Sequence, residues 1–75
     1  MVARLQQIKS DQLIKALERL GFIRRRQTGS HVILRHPITR CMTVVPIHAQ
    51  ELKRGLLFGI LKQANITQDE LLGAL

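Results

Sequence analysis

Residues 27–37 read QTGSHVILRHP, and the way this stretch folds decides the architecture of the chain. Thr28-Gly29-Ser30 has turn chemistry, because glycine enters left-handed backbone conformations at no steric cost. His31 to Arg35 is a short run rich in β-branched and aliphatic residues, as a strand requires. Pro37 ends that strand, since it has no N–H to give a ladder. The stretch therefore predicts a β-hairpin entering its second strand at His31. Strand side chains alternate, so Val32 and Leu34 share one face while His31, Ile33 and Arg35 share the other. The more apolar pair is the core candidate, which sends His31 and Arg35 to the open face. Ile33 goes with them as a small mismatch.

Working outward, residues 22–27 read as the preceding strand and Cys41 to Val45 as a third, closed by Pro46. The expected sheet is a three-stranded antiparallel meander. Upstream, Ser10 is placed as a helix N-cap with Asp11 in the first turn, and Leu13, Ile14, Leu17 and Leu20 form an apolar stripe at helical spacing. Gly21 stops this helix in a left-handed cap, with Phe22 folding back on its last turn. Residues 1–9 are expected to be a loose lead-in, with Ile8 the residue there able to pack. Downstream, a second helix is expected to begin at Glu51, with Leu56, Leu57, Ile60, Leu61 and Ala64 as its apolar face and Asn65 as its cap. Gly55 and Gly59 each cost that helix up to about 1 kcal/mol, for close approach to the sheet or to a partner. Thr67 and Glu70 form a capping box that opens a short helix carrying Leu71, Leu72 and Leu75. Helices on one face of an antiparallel sheet make an α+β fold with the opposite face open.

Seventy-five residues fit one small domain, residues 1–75. No apolar run approaches the roughly 20 residues that span a bilayer, and residues 1–10 lack the apolar segment of a secretory signal, so the cytoplasm is the expected location and no membrane contact is expected. Cys41 is the only cysteine, which excludes an intramolecular disulfide, and no zinc-ligand spacing is present.

Charge is the first functional signal. Lysine and arginine number 12 against 5 acids, for a net charge of +7 and a pI near 11.3. Between Glu18 and Glu51 there is no acid, while Arg19, Arg24, Arg25, Arg26, Arg35 and Arg40 all lie in that window. Such a field attracts polyanions, and a guanidinium fork suits phosphate oxygens. The acids stand on helices or helix ends away from the basic sheet, so clustered oxygen ligands for a divalent metal are lacking, and no metal or other cofactor is expected. Gly29-Ser30-His31 is too short for a nucleophile elbow, and no acid stands ready to orient a base for Ser30.

One reaction needs neither metal nor protein nucleophile, namely attack of an RNA 2′-hydroxyl on its own adjacent phosphorus. A group titrating near neutrality and a fixed cation would promote it. His31 and Arg35 supply both, although residues four apart on a strand are about 13 Å apart, so Arg35 is better suited to a neighbouring phosphate. Lys53 and the run Arg24, Arg25 and Arg26 are further phosphate contacts. His36 reads as a structural turn residue, and His48 as a loop residue able to assist the site. The bland reading of His31, a tolerated polar residue at a strand start, stays open on chemistry alone. Two further classes stay open with it: a non-catalytic RNA-binding module on the same fold, and an interaction protein whose basic face meets an acidic partner.

These residues resemble the HicA toxins, messenger-RNA-cleaving ribonucleases of type II toxin–antitoxin pairs. The matching pieces are LGF at 20–22, GSH at 29–31, RHP at 35–37, VPIH at 45–48 and ELKRGLLFGILKQANIT at 51–67. The resemblance implies a fold like the double-stranded-RNA-binding domain, His31 of the Gly-Ser-His element as the catalytic residue, Ser30 beside it in the RNA site, and a HicB antitoxin that covers the active face. Two departures stand out. Ile38-Thr39-Arg40 replaces the usual Asp-Gly type of hairpin signal, with a third strand one residue longer, which suggests a bulge there. Thr28 stands where a basic residue is often found before the Gly-Ser-His element.

Overall fold

The computed structural model describes residues 8–47 and 51–75. The element order is α1 (Ser10–Arg19), β1 (Ile23–Thr28), β2 (His31–Arg35), β3 (Met42–Pro46), α2 (Arg54–Ala64) and α3 (Gln68–Ala74). The strands form an antiparallel sheet in the order β1-β2-β3, as the hairpin reading predicts. Helices α1 and α2 both pack against β3, and α1 also packs against α3. The arrangement is the expected α+β one, helix, three-stranded sheet and two C-terminal helices, consistent with the topology of a double-stranded-RNA-binding domain.

Pleat alternation holds on β2. Val32 and Leu34 are buried, and across the next ladder they face Val45 and Thr43, both buried too. With Leu13, Leu17, Leu57, Ile60 and Leu71 from the helices, these side chains make the core. Thr43 stays satisfied there, its hydroxyl donating to Gln63 Oε1 at 2.9 Å. Strand β1 differs: all six of its residues are exposed, because the helices cover the β3 side of the sheet.

Both long helices end in the same way. Gly21 has φ +104, and the N–H groups of Gly21 and Phe22 donate to the carbonyls of Glu18 and Leu17. Asn65 has φ 58, and Asn65 and Ile66 donate to Lys62 and Leu61. These paired bonds satisfy carbonyls that a helix end leaves without partners, and they require a left-handed residue at that position. The Thr67–Glu70 capping box forms in both directions, at 3.1 and 2.7 Å.

Several expectations are corrected. Lys9, not Ser10, is the N-cap of α1; Ser10 is buried, and its hydroxyl donates to the Pro46 carbonyl at 2.6 Å, a tertiary partner that replaces the local capping bond. Gln12 Oε1 accepts instead from Lys9 N at 2.9 Å. Glu51 does not begin α2: it pairs with Lys9 in an isolated antiparallel bridge, and Leu52 N donates to Ile8 O at 2.8 Å. That pairing buries Ile8 and Leu52, so the lead-in is fixed from Ile8 onward. The helix starts at Arg54, which turns Leu56 to solvent and leaves Leu57, Ile60, Leu61 and Ala64 as the buried face. Gly55 and Gly59 lie on its exposed side, where an added Cβ would meet nothing, so neither permits close approach to the sheet. Leu75 is exposed as well, and Ala74 takes the buried place near the end of α3. Strands 1 and 3 each start one residue later than the sequence suggests, at Ile23 and Met42.

The bulge lies in β1 and not in the third strand. Residues 42–46 pair with residues 31–35 in unbroken register, whereas β1 slips between Arg24 and Arg26. Arg25 is the extra residue.

Candidate functional site

The sheet face away from the helices is ordered by the ladder into three rows. Thr28, His31 and Pro46 form the first, Arg26, Ile33 and Val44 the second, and Ile23, Arg35 and Met42 the third. His31 is exposed at one end, and its ring engages no described residue in a hydrogen bond. Ser30 lies in the turn before it, its carbonyl accepting from Ile47 N at 2.6 Å. The row closest to His31 is thus tied to the segment leading out of β3.

The bulge decides what the arginine run does. In a regular strand Arg24 and Arg26 would share a face and Arg25 would take the other. Here Arg24 pairs with Leu34 and therefore faces the helix side, where its Nε donates to Glu18 Oε2 at 3.2 Å. Arg26 pairs with Ile33 on the open face. Arg25, the inserted residue, joins it there, lining a depression of about 360 Å³ with Arg26, Ile33, Arg35 and Met42. Two consecutive arginines on one face are the direct product of the extra residue. A second depression adjoins the first and is lined by Ile23, Arg25, Arg35, Pro37 and Arg40.

Arg40 reaches this cluster from the turn between β2 and β3, and the sequence reading gave it no role in the site. His36 builds that turn. Its Nδ1 accepts from Ile38 N at 3.1 Å and from Thr39 N at 3.2 Å, and the Arg40 N–H donates to the His36 carbonyl at 2.9 Å. Its ring meets Phe22 edge to face, with centroids 5.2 Å apart. The turn leaves Arg40 at φ 66, a conformation that a residue with a Cβ seldom adopts. The signal available in advance was the absence of a glycine where such a turn needs one.

The structure thus brings together Arg25, Arg26 and Arg35 of the predicted site residues, adds Arg40, and places His31 at the other end of the same face. Arg24 is turned away to Glu18. Lys53 is exposed as the N-cap of α2. His48 lies outside the described residues. Among the described residues no helix is long and apolar enough to cross a membrane.

A family model described as "HicA toxin of bacterial toxin-antitoxin" matches residues 10–66, more than half of the chain. No curated protein matches the chain.

Proposed function

The chain belongs to the HicA toxins of bacterial toxin–antitoxin systems, and from that membership and its open cationic sheet face we propose that it is a metal-independent endoribonuclease acting on messenger RNA in the cytoplasm. The observation that carries the reading is His31, an exposed imidazole whose ring bonds to no described residue, on the same face as four guanidinium groups. Cleavage proceeds by attack of the 2′-hydroxyl oxygen on the adjacent phosphorus. The new 2′-oxygen–phosphorus bond forms as the bond to the 5′-oxygen breaks. His31 takes the 2′-hydroxyl proton or returns one to the leaving oxygen, the work an imidazole performs best near neutrality. The guanidinium groups farther along the face hold neighbouring phosphates of the strand. Ser30, Lys53 and His48 are secondary contacts in this reading, and residues 1–75 act as a single domain.

A toxin of this type has an antitoxin partner, and a HicB-like protein presenting carboxylates to the same cationic face would block RNA from His31. The His31→Ala variant tests the catalytic reading. RNA cleavage is expected to be lost while the folded state and RNA affinity are retained. A variant that still cuts would remove His31 from catalysis, whereas an unsubstituted chain that binds RNA without cutting it would leave the RNA-binding module as the better description.

A further inference from the structure

Resting on the reading above, we propose that Arg25, Arg26, Arg35 and Arg40 form a phosphate-anchoring subsite that grips the RNA backbone beyond the bond being cut. His31 and Arg35 are four residues apart on β2, about 13 Å along the strand, so one phosphate cannot engage both backbone positions closely. The arginines are grouped around two adjoining depressions that share Arg25 and Arg35. His31 lines neither. A polymer that carries a phosphate on every unit can occupy His31 and the depressions together.

Three features mark the cluster as a built site within the wider basic surface. The β1 bulge sets two successive arginines on the same side. Arg40 is held at positive φ to join them. Among the described residues no acid lines either depression, whereas Arg24, on the opposite face, is paired with Glu18. Between the guanidinium groups the surface is apolar, from Ile33, Met42 and Ile23, and among the described residues no aromatic side chain lines it. The described residues offer no aromatic platform for base stacking there, and the subsite reads backbone phosphate without base identity.

The test is RNA binding by the full chain in the non-cleaving His31→Ala background, with an unstructured mixed-sequence RNA oligonucleotide, over a range of salt concentrations. Arg25→Gln and Arg40→Gln are each expected to weaken binding roughly tenfold. Each should also lower the slope of log affinity against log salt by about 0.7, the counterion release of one phosphate contact on a single strand. Arg24→Gln removes the same charge from outside the subsite, and should leave the slope unchanged. If Arg24→Gln matches the other two, the arginines act only as a diffuse field and the subsite is overturned. If Arg25→Gln and Arg40→Gln leave RNA binding intact, the cluster serves a protein partner instead. Because cleavage is not read, failure of the His31 assignment would show separately.

Discussion

His36 closes directly over Gly21: a Cβ added to that glycine would lie 2.6 Å from the imidazole Nε2, with its neighbours Cδ2 and Cε1 at 3.2 and 3.4 Å. One glycine therefore meets two demands. It supplies the left-handed cap of α1 at φ +104, and it makes room for the histidine that builds the β2–β3 turn.

Gly21→Ala should accordingly be among the more damaging small substitutions in the chain. The backbone term alone is about 1–2 kcal/mol, and displacement of His36 adds to it. In a domain of this size each kcal/mol lowers the melting temperature by about 4–8 °C. Thermal unfolding followed by circular dichroism checks this. Because the ring is part of the cost, His36→Ala in the same chain should recover some of the loss, and strictly additive effects would contradict the contact.

Arg40→Gly separates stability from binding. Glycine removes the cost of φ 66, which outweighs its greater freedom in the unfolded chain, so the variant should be up to about 1 kcal/mol more stable in urea unfolding. Its RNA affinity should fall with the loss of the guanidinium. Arg40→Gln should lose the affinity without that gain in stability.

Leu34→Ala opens a cavity at the centre of the helix-facing side of β2, where the side chain is 0% exposed. The expected cost is about 2–5 kcal/mol, a large part of the total for so small a domain. Ile33→Ala, one residue away on the open face, should cost much less. Equal losses at the two sites in urea unfolding would contradict the assignment of faces.

Much of this architecture is legible in the sequence. The alternation of Val32 and Leu34 against His31 and Arg35 assigns the faces of β2, and the Gly21 and Thr67 signals mark helix ends where they fall. What escapes is set by tertiary partners. Ser10 looks like a cap, yet its hydroxyl is drawn to the Pro46 carbonyl. Glu51 looks like a helix start, yet its backbone bridges to Lys9. The bulge is hidden for a different reason. Arg24, Arg25 and Arg26 are chemically identical, so nothing local marks which one the ladder skips, and only the pairing of β1 with β2 shows it. The same slip separates an arginine spent on Glu18 from two that stand beside Arg35.

Strand β1 carries positive charge and contributes nothing to the interior, while β2 and β3 hold the apolar contacts. Apart from Arg24, which is paired with Glu18, the side chains of β1 are therefore free of packing constraints from the core. The charge of the open face can be altered there without repacking a single buried side chain.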